Sequence, residues 1–473
     1  MRVVIKKIGP IEHFDIDLAK PLTVVYGMNN IGKSYGMQIA YLLAKYTVVE
    51  AKYGYIQFRM SKTKRMNKWK EVITQFIDDG NEERDITSDV FDEISNAYTM
   101  YVVSPLIDAV QNTFSTYESM ISEESVLEIT NAEYIITINV KKGEAVVKEN
   151  TEKNKGKPTF LKKTTSGFHK SRESKYKLDI YVLVEREGQY DIKNALYTVE
   201  TVIDKAIDNF FLSICREVGD LYYLPASRSG MMLGMSAMNQ GLILMGQNRN
   251  RMRGSVRITN IPEPVADYYY AISEIYPQRM GRYSGAAAKI EKEILGGEVL
   301  YDNQQKVLKY KQDGSDEVLE MTDASSMVAE ISPITAFLKY VIIDEFRVRR
   351  HVNSDKQKTI LFIEEPEAHL HPENQVKLID YIQEMLDKRI SLVISSHSNY
   401  ILNKLNNMVL KKRLDSNNYD AIIMEKSKEG YGRTRVMPGD QYGYEDVNFM
   451  DTADELYEER EQVIMKIINK EDE

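Results

Sequence analysis

The chain opens with apolar and polar positions in alternation. Val3 to Ile5 and Phe14 to Leu18 read as two strands around a turn at Gly9-Pro10. Leu22 to Tyr26 is a short, mainly apolar run of β type. Gly27 follows, and an amphipathic helix continues through Gln38, Leu42 and Leu43. Beyond about residue 51 the pattern changes. Trp69, Val72 and Phe76, then Val90, Phe91 and Ile94, stand at helical spacing, after which Val126 to Val140 and Tyr176 to Glu187 alternate like strands. A Lys-rich stretch around Lys153, Lys155, Lys157, Lys162 and Lys163 between them reads as a solvated loop. Helical spacing returns over Thr198 to Val218, and Leu221 to Leu224 is a buried-type strand ended by Pro225. From Gly230 to Arg257 Met, Gly and Asn dominate, which predicts an irregular loop.

Strands are expected next near Glu298 to Lys311, then a helix from Ser325 to about Arg349. A strand at Ile360 to Ile363, a helix at Glu373 to Leu386 and a strand at Ser391 to Ile394 complete an alternation typical of parallel sheets flanked by helices. The expected class is α/β, a mixed sheet flanked by helices built from residues 1–50 and 219–440. Residues 51–218 form an inserted α+β region, and residues 441–473 a tail ending in a charged amphipathic helix over Glu455 to Glu473.

Composition narrows the picture. A chain of 473 residues suggests about two to three folding units rather than one core. A net charge of −9 argues against a protein that coats nucleic acid along its whole surface, though not against a local basic patch. The single cysteine, Cys215, excludes an internal disulfide framework and a Cys-based zinc site and fits a reducing compartment. The first residues lack the apolar block of a signal peptide, and no apolar run approaches the roughly 20 residues that span a bilayer. The expectation is a cytoplasmic protein without a membrane partner.

Three stretches carry chemistry. Gly27-Met28-Asn29-Asn30-Ile31-Gly32-Lys33-Ser34 is a full G-x-x-x-x-G-K-S between a strand and a helix. Binding a triphosphate needs backbone N–H groups turned inward, which glycines permit, above the positive end of a helix. It also needs a lysine on the β- and γ-phosphates and a hydroxyl on Mg²⁺. Gly27, Asn29, Asn30 and Gly32 with Lys33 and Ser34 are the candidate ATP contacts, and Ser34 is the candidate Mg²⁺ ligand. Ile360 to Ile363 ends in Glu364-Glu365-Pro366-Glu367. Glu364, where many P-loop proteins have Asp, would hold Mg²⁺ through water, and Glu365 would orient or deprotonate the attacking water. Ser391 to Ser398 then delivers His397 from a strand that follows the carboxylates, which suits a sensor of the γ-phosphate.

Weaker signals surround these. Ser325 and Ser326 precede a helical stretch; they cap it, and their hydroxyl and N–H groups also suit an anion. His369 and His371 lack the further ligands of a transition-metal site and read as a loop that crosses a dimer interface.

Together the residues resemble the ATPase domain shared by ABC transporters, SMC and Rad-type proteins and the OLD-like family of bacterial defence ATPases. The resemblance spans roughly residues 1–50 and 220–440 and rests on four stretches. These are Ile8-Gly9-Pro10-Ile11, the Gly27 to Ser34 loop, Leu224-Pro225-Ala226-Ser227-Arg228, and Glu364-Glu365-Pro366-Glu367-Ala368-His369-Leu370-His371-Pro372. The resemblance implies an ABC-type head in which ATP is sandwiched in a homodimer or higher homo-oligomer. Ser325 and Ser326 would reach the partner's γ-phosphate, and His397 would be the switch histidine. Arg228 is left between a phosphate contact and a nucleic-acid contact. Two departures matter: Met327 stands where many relatives have Gly, and the segment after His397 has no room for the Toprim nuclease of OLD-type nucleases. The resemblance therefore implies an ATPase subunit that controls a separate effector, a nuclease or toxin, as in the PARIS and Septu antiphage systems.

The alternative is a DNA-repair or chromosome-associated ATPase acting directly on DNA. It is motivated by Arg249-Asn250-Arg251-Met252-Arg253 and by the cations from Lys153 to Lys177. The absence of a long heptad pattern counts against long coiled-coil arms. A non-enzymatic ATP-binding module is opposed by Glu365, and a transporter subunit by the large insertion and the absence of the Leu-Ser-Gly-Gly-Gln signature.

Overall fold

The computed structural model describes the chain except for residues 51–62, 152–156, 166–170, 174–176, 184–190, 217, 235–260, 344–356, 387–388, 447–449 and 472–473. The basic segment at 249–253 and most of the Met/Gly/Asn-rich loop lie outside the described residues, and the helix expected to reach Arg349 ends earlier, its last turn at Phe337–Val341 giving way to extended backbone at Ile342. Two compact units emerge: residues 1–9 with 39–221, and residues 10–38 with 222–473.

The second unit holds a mixed sheet. Its strands are β1 (Ile11–Asp17), β2 (Leu22–Gly27), β3 (Val218–Leu224), β4 (Lys358–Glu364), β5 (Ile390–Ser396), β6 (Tyr419–Lys426) and β7 (Gly432–Val436), in the order β3-β4-β5-β2-β6-β7-β1. The centre is parallel: β4 on β5, β5 on β2, and β2 on β6. Such strands are covered on both faces, which is why Leu22 to Tyr26 is apolar except for Thr23 and Ile360 to Ile363 is wholly apolar. One face packs Leu22, Val24, Tyr26, Leu361, Ile363, Leu392 and Ile394 against apolar positions of three helices. These are α2 (Ser326–Ala336), α3 (Pro372–Met385) and α4 (Asn399–Leu410), contributing among others Ile331, Ile334, Leu378, Ile382, Leu402 and Leu405. The helix α1 (Lys33–Lys45) springs from the loop after β2. A small antiparallel sheet of Gly297–Asp302, Val307–Gln312 and Val318–Glu320 completes the unit, where the alternation near Glu298 to Lys311 placed strands.

The first unit is α+β, as the change of pattern after residue 51 predicts. Arg2–Ile8 pairs antiparallel with Ile121–Thr130, which continues through Tyr134–Asn139 and Glu144–Glu149. A second sheet joins Glu83–Asp85, Thr159–Thr164, Leu178–Leu183 and Ser171–Glu173. Helices Thr63–Asp78, Thr87–Tyr98, Ser104–Thr113 and Ile192–Ile214 supply the helical layer. Tyr98, Tyr134, Phe210 and Phe211 form its aromatic centre, in edge-on and stacked pairs. Cys215 is buried, and its Sγ lies 3.3 Å from the Val48 carbonyl oxygen. No described helix is long and apolar enough to cross a membrane.

Candidate functional site

Three neighbouring parallel strands end side by side, and each delivers one part of the site. Glu364 at the end of β4 is in register with Ser395 of β5, and Ser396 with Tyr26 of β2. The next residues along these strands are Glu365, His397 and Gly27, so the carboxyl ends of β4, β5 and β2 gather the three sequence stretches at one sheet edge. Ligands of open α/β sheets bind outside such carboxyl ends.

The loop after β2 has the backbone that a phosphate cradle requires. Gly27 has φ +143° and Gly32 φ +98°. A Cβ on Gly27 would sit 2.3 Å from the Met424 carbonyl oxygen of β6, so neither the conformation nor the space admits a side chain. Asn30 is left-handed at φ +60°, a conformation that asparagine tolerates better than most residues. Met28, Asn29 and Asn30 are exposed, whereas Lys33 is buried. Its Nζ folds back to donate to the carbonyl oxygens of Gly27 at 2.9 Å and Met28 at 2.6 Å, which satisfies the ammonium. Burial pushes Lys33 down to about 8 although Glu365, Glu367 and Glu364 pull the other way.

A pH prediction follows from that sign. Above about pH 8 the free protein carries Lys33 largely neutral, while a phosphate beside it favours the charged form. ATP binding at alkaline pH is therefore expected to take up a proton. Calorimetry at about pH 8.5 should give a binding enthalpy that varies with buffer ionisation enthalpy in the sense of uptake, fading towards neutrality. A buffer-independent enthalpy at the alkaline pH would contradict it.

Glu364 is buried at the strand end and tightly held. Ser34 Oγ donates to its Oε2 at 2.6 Å, and the Tyr223 hydroxyl donates to Oε1. Burial raises its carboxyl above the usual range, opposed by hydrogen bonds from Ser34, Tyr223 and Gln38. A hydroxyl and a carboxylate oxygen this close are the hard donors Mg²⁺ takes, and Ser34 and Glu364 fit that ion. Bound there, Mg²⁺ supplies charge neutralisation of transferring phosphates.

Glu365 differs in every respect. It is half-buried and sits at φ +44°, a conformation unusual for a residue with a Cβ. Its N–H donates to the Ser395 carbonyl oxygen at 3.0 Å while its carboxylate turns to His397, with Nε2 3.6 Å from Oε1. That histidine, then the cations Lys33 and Arg228, hold Glu365 below the usual carboxylate range despite its partial burial. A carboxylate this acidic orients a water better than it removes its proton. Loose phosphoryl-transfer transition states need positioning above all.

His397 is fixed by a residue that the motif includes but whose role the sequence does not reveal. Glu367 is buried, and its Oε1 accepts from His397 N at 2.6 Å and Ser396 Oγ at 2.8 Å. Tyr223 was likewise invisible, one aromatic among several in a buried strand. Arg228 lies wholly inside the protein, paired with Glu330 of α2. This placement answers the open question about Arg228: a side chain at 0% exposure touches neither a bound phosphate nor nucleic acid. Glu330 carries its own sequence signal, since a lone charge within Met327 to Thr335, a stretch otherwise uncharged and mainly apolar, needs a buried partner.

Ser325 caps α2, its hydroxyl accepting from Val328 N at 3.4 Å. Ser325 and Ser326 are exposed and make no hydrogen bond to the Gly27 to Ser34 loop or to Glu364 and Glu365 of their own chain among the described residues. His371 caps α3 through Nδ1, and His369 is exposed at φ +60°. The described lysines of the Lys-rich stretch are engaged. Lys157 pairs with Glu173, Lys162 with Glu83 and Asp179, and Lys177 with Asp179, while Lys163 donates to the Ile77 carbonyl oxygen.

Residues 265–402 match the family described as an AAA ATPase domain. The search of curated proteins found no match. Solved structures of SMC head domains are similar at low identity. One, an SMC head bound to the C-winged helix domain of ScpA, has a TM-score of 0.35 and 12% identity, covering 92% of this chain and 97% of that one. The SMC head domain from Thermotoga maritima gives 0.32 and 11%, over 93% and 98%. An SMC head with an extended coiled coil, bound to the C-terminal domain of ScpA derived from Pyrococcus furiosus, gives 0.33 and 12%, over 97% and 98%. Similarity at this level says nothing of substrate or partner.

Proposed function

We propose that the chain binds and hydrolyses ATP with Mg²⁺, as an ABC-type ATPase whose site is completed by a second copy. The observation that carries this is the convergence of Lys33, Ser34, Glu364, Glu365 and His397 at the ends of three adjacent strands. Lys33 leaves its two loop carbonyls for the β- and γ-phosphates, Ser34 and Glu364 hold the ion, and Glu365 with His397 positions water at the γ-phosphate. Glu365 is open to solvent on one side, and the α2 N-terminus presents Ser325 and Ser326 outward. Both fit closure by a partner's α2 over the nucleotide, with the orphan N–H groups of that helix end meeting the phosphate.

The finer reading is a subunit that senses a trigger and controls a separate effector, a nuclease or toxin, in antiphage defence. Its support is the Glu364 to Pro372 motif. Direct action on DNA is the second reading, and the pairing of the described lysines above weakens it. Salt-sensitive DNA binding by the purified protein would favour it.

The direct test of the activity is phosphate release from ATP. Wild-type protein is expected to release phosphate with Mg²⁺ and to stop when EDTA removes the metal. Binding without release, at any Mg²⁺ concentration and with the partner present, would reduce the chain to an ATP-binding module.

A further inference from the structure

We infer that the buried Arg228–Glu330 pair is a positioning device of the hydrolytic site, one that fixes the backbone presenting Glu365 and ties it to helix α2. The inference rests on the ATPase reading above and assigns it two further residues.

Arg228 spends its guanidinium almost wholly on backbone. Nη1 donates to the carbonyl oxygens of Glu364 at 2.6 Å and Pro225 at 2.9 Å, and Nη2 donates to that of Glu365 at 3.0 Å. Nε donates to the Glu330 carbonyl oxygen at 2.9 Å, and the Glu330 carboxylate lies 3.4 Å away as counter-ion. That carboxylate also accepts from Arg228 N at 3.0 Å, Ser229 N at 3.0 Å and Ser229 Oγ at 2.7 Å. Both side chains are at 0% exposure.

The two carbonyls that matter are those of Glu364 and Glu365, because they belong to the peptide groups on either side of the Glu365 α-carbon. Holding both fixes the φ and ψ of Glu365 together. That residue needs holding: its φ of +44° is disfavoured for any side chain with a Cβ and persists only where surroundings impose it. The left-handed turn takes Glu365 out of the β4 alternation and aims its carboxylate at His397. A well-packed apolar pair would avoid the desolvation of two buried charges. It could not cap two successive carbonyls, and neither could lysine, a point donor without a planar fork.

The other end of the device is α2. Glu330 lies little more than one turn from Ser325 and Ser326, the residues proposed to meet the partner's nucleotide. A shift of that helix end on dimer closure therefore reaches the Glu365 backbone through one salt-bridged, fully hydrogen-bonded contact. Arg228 and Glu330 touch neither nucleotide nor water; they act through Glu365.

Arg228→Lys and Glu330→Gln, made separately in the full chain, test this against wild type. Circular dichroism and melting establish folding, a fluorescent ATP analogue gives Kd, and steady-state phosphate release gives kcat and KM. The expected result is a folded protein with nucleotide Kd within about threefold of wild type and kcat lowered at least about tenfold, the signature of a displaced catalytic group. Wild-type hydrolysis with an unchanged kcat in both variants overturns the inference and leaves the ATPase reading intact. A parallel loss of affinity and kcat overturns it too, because the pair would then support the pocket in general. Failure of both variants to fold would make the pair a requirement of the core alone, again against the inference. A wild type that does not hydrolyse ATP removes the parent reading and this one with it.

Discussion

Lys33→Ala is expected to lower the affinity for ATP by about a hundredfold or more while leaving the protein folded. Hydrogen bonds to charged groups are worth about 1.5–3 kcal/mol each, and the ammonium would make two, to the β- and γ-phosphates. About 2.7 kcal/mol corresponds to a hundredfold in Kd. The stability side points the other way. The empty site buries an ammonium whose burial lowers its pKa to about 8, so removing it also removes a desolvation penalty. Two backbone acceptors, Gly27 O and Met28 O, lose their donor, but Met28 lies at the exposed lip of the loop where water replaces it. Titration with a fluorescent ATP analogue checks the affinity and thermal melting checks the fold. Near-wild-type binding by this variant would mean that the loop does not hold the phosphates.

Glu365→Gln should behave in the opposite way, binding ATP at least as tightly as wild type while hydrolysing it about a hundredfold more slowly or worse. The amide keeps the size of the carboxylate and removes its charge. Next to a triphosphate, that loss relieves repulsion, so affinity is preserved. What disappears is the acceptor that orients the attacking water, together with the carboxylate that His397 faces. Single-turnover measurements separate the chemical step from binding and product release. Hydrolysis at the wild-type rate would take the water-orienting role away from Glu365.

Much of this site can be read in the amino-acid order because its parts are local. The glycines of the Gly27 to Ser34 loop, the carboxylates after Ile363 and the histidine that follows Ser396 each come at the end of a strand that announces itself by a mainly apolar run. Parallel strands buried on both faces leave that trace whatever surrounds them. The α+β character of the inserted region is legible for the same reason, through its change from helical spacing to alternation. Strands β6 and β7 were harder to see. Tyr419 to Lys426 mixes Asp420, Glu425 and Lys426 with its apolar core, and Gly432 to Val436 carries two exposed arginines that break the apolar pattern.

The supporting residues were hidden for a different reason. Tyr223, Glu367 and Arg228 act through contacts far apart in sequence; Tyr223 meets Glu364 across 141 positions, and Arg228 meets it across 136. No spacing rule carries such a pairing. Arg228 in particular reads from sequence as a cation seeking a phosphate, and only its burial shows that it serves carbonyl groups instead. Glu330 is the available clue, a lone charge in the middle of an otherwise uncharged helix that has to be answered from elsewhere.

The most direct test of the central claim is the mass of Glu365→Gln in solution with ATP and Mg²⁺, measured against the same protein without nucleotide. A site completed by a second copy predicts a shift to at least twice the nucleotide-free mass, reversed when Ser325 and Ser326 are also replaced by Arg at the α2 N-terminus. A variant that binds ATP yet keeps the same mass across the concentrations tested would contradict a nucleotide sandwiched between two chains.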